Sequence, residues 1–300
     1  MSKTRALKEI CKICILWAFF LIFPAGWQPV RAAVDFPAVE KILGAKGQMQ
    51  EGALVVRFPR TDLKVSIAGE PVPTGLGFTS WTAWVKMGDK AMVMGDLVLL
   101  EREVNPVIST LGTAGIQVTA LHNHFLSEQP RIMFMHIDGK GSPETLAEGI
   151  RKALSQTATP MPPAPASPSP ALPLDTRKIE QIIGHPGQLG GGVFKITVGR
   201  AGITMSGMEL TSSMGVNSWA AFMGNDDRAH VAGDIVMTAR EVPRVIQALR
   251  QGGVDIVAVH NHMLTEEPRI FFLHYWGTGT AAHLAKTVRA AFDQARGPMR

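Results

Sequence analysis

Residues 121–136, LHNHFLSEQPRIMFMH, return at 259–274 as VHNHMLTEEPRIFFLH, so any fold for this chain must present one segment twice. Six of the nine histidines fall in the two copies: His122, His124 and His136, then His260, His262 and His274. The correspondence runs well beyond the segment. A shift of 138 residues carries Trp81, Asp96, Glu103, Glu128 and Arg131 onto Trp219, Asp234, Glu241, Glu266 and Arg269. Before residue 60 the shift becomes 140, which marks a two-residue insertion in the first copy. Repeats of this length are domains rather than solenoid units.

Each half reads as the same series of elements. Residues 35–44, DFPAVEKILG, predict a short helix with Asp35 as N-cap and Gly44 as its stop, and 175–184, DTRKIEQIIG, repeat it. Strand-like pieces follow at 53–58 and 63–68, and again at 193–198 and 203–206. Trp81 and Trp219 occupy matching places and are expected to pack in the core. GDLVLLEREV at 95–104 and GDIVMTAREV at 233–242 predict a strand running into a helix that Glu103 or Glu241 opens. Asp96 and Asp234 leave two readings open: partner of a metal or histidine, or a carboxylate satisfied by a turn N–H. Residues 116–122 and 131–137 predict two strands of a wide hairpin, with Pro130 at the start of the second, where a missing N–H does least harm. Ser142 and Pro143 open a last helix with Leu146, Ile150 and Leu154 on its apolar face. The fold class is α+β: two tandem homologous domains, each a mixed or antiparallel sheet with a few packed helices.

The domain limits follow from composition. Residues 1–33 read as a secretory signal peptide: basic residues at Lys3, Arg5, Lys8 and Lys12, an apolar run at 13–23, and small residues near Ala32 and Ala33. The apolar run is short for a membrane-spanning helix, so no stable span is expected after cleavage, and the protein is expected in the periplasm or cell envelope. Both cysteines, Cys11 and Cys14, lie in that segment, which leaves residues 34–300 without disulfide or thiolate chemistry. The first domain is 34–154 and the second 175–300. Between them 155–174, SQTATPMPPAPASPSPALPL, has the composition of an extended spacer. Each half carries a whole set of elements and is expected to fold alone. With 46% apolar and 18% charged residues both halves have material for a core. A net charge of +5, without any run of Lys/Arg interleaved with aromatics, points away from nucleic acid.

The chemistry sits in the histidine segments. His122 and His124 are two apart and share a strand face if the strand continues, and His136 on the returning strand can meet them across the hairpin. Two histidines plus a third from a neighbouring strand suit zinc, or another divalent transition metal, with Glu128 or a water completing the set. His260, His262 and His274 repeat the arrangement, with Glu266. Arg131 and Arg269 are candidates to hold a substrate carboxylate, and Glu128 and Glu266 to handle protons. The competing reading is a structural hydrogen-bond cluster at strand ends. The second copy differs by Glu267 against Gln129 and by Tyr275-Trp276 against Ile137-Asp138, which makes it the expected tighter site, with an added stacking surface. Met87, Met92, Met94, Met133 and Met135 read as core filling rather than copper ligands.

Both copies satisfy HNHxLxExPRIxFxHxxG. With that run, the GD-(L/I)-V strand and the leader, the chain resembles the LppY/LpqO family of envelope proteins, once per domain. That resemblance implies a cell-envelope protein, often labelled peptidoglycan-binding, and assigns no catalytic residues. At the level of the site alone the triplet is also similar to acetolactate decarboxylases. This implies that His122, His124 and His136 ligate zinc, that Arg131 holds a carboxylate and that Glu128 handles protons. The functional expectation is therefore an exported protein with duplicated three-histidine metal sites, a hydrolase or lyase on a small carboxylated molecule. The alternative is a non-catalytic peptidoglycan-binding module.

Overall fold

Asp35 opens the first element as its sequence requires: its carboxylate accepts from the Ala38 N–H, and the helix Phe36–Leu43 stops at Gly44, whose φ of 69° suits a residue without Cβ. Asp175 and Gly184 bound Thr176–Ile183 in the same way. This is a computed structural model that describes residues 35–163 and 171–295. The segment read as a signal peptide and the middle of the linker lie outside the described residues.

Each repeat builds one six-stranded sheet, and every pairing in both sheets is antiparallel. In the first the spatial order is Gly47–Gln50, Ala53–Pro59, Thr79–Met87, Lys90–Leu100, Ile132–Gly141, Gln117–His122. The second repeats that order from Gly187–Gly190 to Asp255–His260. Successive residues of a strand face opposite sides, and both sheets use this fully. On the Lys90–Leu100 strand, Val93, Leu97 and Leu99 face the repeat's own helices, where Val39, Leu43, Val107, Leu111, Leu146 and Ile150 cover them. Ile179, Ile183, Val245, Leu249, Leu284 and Val288 do the same for the second sheet.

The opposite faces belong to both repeats at once. Ala53, Val55, Ala83, Met92 and Met94 of the first sheet pack against Ile203, Met205, Leu210, Met214 and Val216 of the second repeat's excursion. Reciprocally, Val193, Ala221 and Ala232 of the second sheet pack against Val65, Ile67, Leu76 and Phe78 of the first. Backbone bonds join the same surfaces, as in Gly75 N–H to the Gly191 carbonyl at 3.1 Å. A Cβ on Gly75 would fall 2.5 Å from that carbonyl oxygen, so the close approach needs glycine. Both repeats accordingly lie in one compact unit. The linker's described ends are tied down as well. Met161 packs on the first core, Leu172 and Leu174 pack on the second, and Ala158 N–H donates to Glu103 at 3.3 Å.

Glu103 closes a buried ion pair that sequence reading missed. Arg60, fully buried, donates to Glu103 at 2.8 Å and to the Val98 carbonyl at 2.6 Å; Arg200 and Glu241 form the counterpart at 2.8 Å. A buried guanidinium must be paired and hydrogen-bonded, and these pairs lock each helix entrance to the strand before it.

Two independently folding halves do not fit the shared cores. Residues 34–154 or 171–300 expressed alone would leave one apolar sheet face and one excursion uncovered. Each is expected to lose cooperative unfolding, or to unfold well below the full chain, in denaturant titrations followed by circular dichroism. Full cooperativity in an isolated monomeric half, at the midpoint of the whole chain, would contradict the shared-core account.

Candidate metal centre

Register positions the first ligands. Gln117–His122 pairs with Ile132–Gly141 so that Ala120 lies opposite His136 and His122 opposite Phe134, with an irregularity between Val118 and Ala120. His124 sits two residues beyond the strand, its ring flat on Phe134 at 3.4 Å between centroids. His262 lies on Phe272 in the same way at 3.3 Å. Within one hairpin the rings stand 5.1–5.2 Å apart, His122 to His136 and His122 to His124.

The closest pairs of histidine rings are formed between the repeats. His122 faces His260 at 3.6 Å, His124 faces His274 at 3.7 Å and His136 faces His262 at 3.7 Å. The last two pairs exchange under the repeat relation and the first maps onto itself, so one cluster straddles a pseudo-twofold. Thr119 Oγ donates to the His262 carbonyl at 2.6 Å, and Asn261 Nδ2 donates to the Thr119 carbonyl at 2.9 Å, stitching the two hairpins together there.

Among the described residues three sets of groups lie close enough to hold an ion: His122, His260 and His274; His136, His260 and His262; and Asp234, His262 and His274. Each set draws on both repeats or on Asp234, and any two sets share a histidine. The expected pair of separate triplets is thus replaced by one connected cluster. His124 belongs to none of the three sets but lies within the ring stack.

The donor atoms are prepared. His122 Nδ1 lies 3.3 Å from the Asn123 carbonyl, His260 Nδ1 3.0 Å from the Asn261 carbonyl and His274 Nδ1 3.2 Å from the Gly233 carbonyl. A carbonyl only accepts, so each Nδ1 carries the hydrogen and each Nε2 keeps a lone pair. All six Nε2 atoms and His124 Nδ1 are buried without a hydrogen-bond partner, as are one oxygen each of Asp96 and Asp234. Each such orphan costs about 1–3 kcal/mol unless a ligand satisfies it.

Burial holds all six imidazoles neutral. It lowers each pKa, His260 to about 4 and the others well below their usual value. Except at His260, neighbouring imidazoles add to the effect. Asp96 and Asp234 resolve the reading left open for them: neither opens a strand. Asp96 lies mid-strand opposite both Trp81 and His136, and Asp234 lies opposite Trp219 and His274. Asp234 also approaches His262 Nε2 at 3.5 Å. Burial pushes Asp96 up to about 8; burial and then Asp96 push Asp234 well above the carboxylate range.

A cavity of about 580 Å³ opens beside the cluster. His124, His136, His262, His274, Asp96 and Asp234 line it, and so do Trp81 and Trp219. Both tryptophans pack as expected, Trp219 within the apolar core on the second sheet's inner face and Trp81 against that of the first, and both also wall the cavity. Trp81 reaches across to Gly215, where a Cβ would stand 3.0 Å from its ring. Trp219 reaches Gly77 in turn.

Other expected site residues are placed elsewhere. Glu128 accepts from the Ile132 N–H at 3.4 Å and lies 3.6 Å from Arg131. Glu266 accepts from the Ile270 N–H at 3.1 Å and from Arg269 at 3.2 Å, while Arg269 also donates to the Met263 and Leu264 carbonyls. These four residues brace the irregular hairpin connection, whose backbone leaves carbonyls and N–H groups unpaired by the ladder, and they do not line the cavity. Tyr275 is buried and donates to the Trp219 carbonyl at 3.1 Å, and Trp276 packs on His230 and Phe125. Neither offers the stacking surface expected of it.

Fold and cluster define a tandem-repeat α+β protein whose histidine groups could hold a metal. The chain belongs to the family described as Domain of Unknown Function (DUF1259), whose model matches residues 37–156 and again 177–294. No curated protein matches. Among solved structures, a trimeric bacterial microcompartment shell protein PduB is 11% identical over 84% of this chain and 91% of that one, with a TM-score of 0.21. EtuB from Clostridium kluyveri is 10% identical over 83% and 90%, also at 0.21. Scores that low do not mark a shared fold. No described helix is long and apolar enough to cross a membrane.

The buried titrating groups set the pH response of the metal-free protein. Unfolded histidines titrate near 6.5 and folded ones far lower, so below about pH 6.5 the unfolded state binds more protons and acid destabilises. The two aspartic acids act in the opposite sense above pH 3.8, Asp96 until about 8, since there the folded state holds the protons. Six histidines outnumber two carboxyls below 6.5, and only the carboxyls remain above it. Denaturant midpoints of chelator-treated protein should therefore peak near pH 6.5 and fall on both sides. A midpoint independent of pH from 4.5 to 8 would contradict burial of these groups.

Proposed function

We propose that the protein is an exported metalloprotein with a single composite transition-metal centre, zinc by its donor set, assembled from both repeats. One observation carries this reading: a cluster of neutral imidazoles whose Nε2 atoms are all buried without a hydrogen-bond partner. A purely structural hydrogen-bond cluster would pair those nitrogens. Nitrogen donors with a carboxylate at hand suit zinc. The Nδ1–H bonds to the Asn123, Asn261 and Gly233 carbonyls fix ring orientation, as outer partners of ligating histidines do.

A zinc ion there would supply Lewis acidity toward a carbonyl or a water. The chain's own residues do the rest. Asp96 and Asp234, held protonated beside the histidines, are placed to give up or take a proton at the cavity floor. Trp81 and Trp219 narrow the entrance and limit water. This supports a hydrolase or lyase acting on a small molecule, and the acid–base role falls on the two aspartates.

Zinc titration of untagged, chelator-treated protein tests the reading. The full chain should bind tightly at one cluster, without two equivalent independent sites. His260→Ala removes a member of two donor sets and should weaken binding by roughly 100-fold or more, since loss of even an outer partner costs 10–100-fold. His124→Ala, in none of the sets, should weaken it least. No metal uptake, or one undisturbed site remaining after His260→Ala, would reject the composite centre.

A further inference from the structure

The cavity's walls break the symmetry that its floor keeps. Strand register makes Lys195 the counterpart of Val55, and Arg57 the counterpart of Thr197: Val55 pairs with Ala83 and Lys195 with Ala221, Arg57 with Trp81 and Thr197 with Trp219. All four residues line the cavity. Each repeat thus contributes one cation, at positions that do not correspond, and both cations face the same space. Lys195 Nζ lies over the Trp219 ring, 4.1 Å from its centroid. Arg57 donates to Gln50 at 3.1 Å, which leaves the rest of its fork free. Among the described residues neither cation makes an ion pair. The Lys195 ammonium is pulled down to about 8, first by burial and then by Arg57, although Asp234 opposes the shift. Two cations facing one cavity repel each other, and an anion between them would relieve that repulsion.

We propose that the cavity takes a small molecule bearing an oxyanion, a carboxylate or a phosphate, held jointly by Lys195 and Arg57 with its remaining body directed at the histidine cluster. This rests on the metal-centre reading only for what the body meets; the anion subsite needs no metal. An ammonium is a compact donor and a guanidinium a planar fork, and together they can address two oxygens of one group. Because the cations are not related by the pseudo-twofold, the ligand binds in one orientation over a floor that offers two. Arg131 and Arg269, committed to their own hairpins, do not take part.

The repeats supply tolerated substitutions. Lys195→Val installs the residue that the first repeat carries at this position, and Arg57→Thr the residue of the second. Isothermal titration of the full chain, zinc-loaded and chelator-treated, with inorganic phosphate and separately with succinate tests the subsite. At least one anion should bind saturably in both forms, and the stronger of the two identifies the group. Each substitution should weaken binding by about tenfold or more, the effect of losing a hydrogen bond to a charged group, with zinc content unchanged and Lys195→Arg retaining most of it. Failure of saturable binding by both anions, or wild-type affinity in both substituted proteins, would overturn the proposal. Anion binding in a protein that takes up no zinc would sink the metal reading and leave the subsite standing.

Discussion

Six uncharged imidazoles and two carboxyls are largely buried between the repeats, beside the cavity, and the architecture follows from that burial. Neither repeat can bury its own histidines. Their sheet faces are apolar at Met92, Met94 and Val98 but carry Asp96 and His136 between, and only the matching face of the other repeat closes over them. The long reciprocal excursions, 65–78 and 203–216, extend that closure. Apolar burial across the shared surfaces works against the cost of desolvating the polar cluster.

Duplication explains why the cluster is nearly symmetric and why it is single. Two copies of one hairpin, facing each other across a pseudo-twofold, pair His122 with its own counterpart and cross-pair the other four rings, so two of the three candidate donor sets mix repeats. Symmetry is kept where nitrogens converge and lost where a ligand would lie. Lys195 and Arg57 give the cavity a direction that the histidines alone do not. A duplicated protein can in this way keep a shared centre while its two walls diverge.

Much of the fold was legible in the sequence. Asp35, Gly44, Asp175 and Gly184 marked helix limits because capping is local chemistry, and the hairpin strands were visible in their β-branched, apolar runs. The six histidines that cluster were also singled out by their repetition. Their partnership was not legible, because which rings meet depends on a pairing between residues about 140 apart that no periodicity encodes. Glu128 and Arg131 misled for the opposite reason: adjacency in sequence to the histidines suggested a shared site, whereas Glu128 accepts from the Ile132 N–H and faces Arg131 at 3.6 Å, away from the cavity. Lys195 left one trace, a charge in VFKITV at a position where the other repeat has an apolar residue.

Anomalous diffraction at the zinc edge from crystals of the metal-loaded chain tests the composite centre most directly. The account predicts anomalous density within about 2.0–2.1 Å of imidazole nitrogens from both repeats, among His122, His136, His260, His262 and His274. Density bound by the histidines of one hairpin alone, repeated at a second distant place, would contradict it, and so would crystals soaked in zinc that show no density at the cluster.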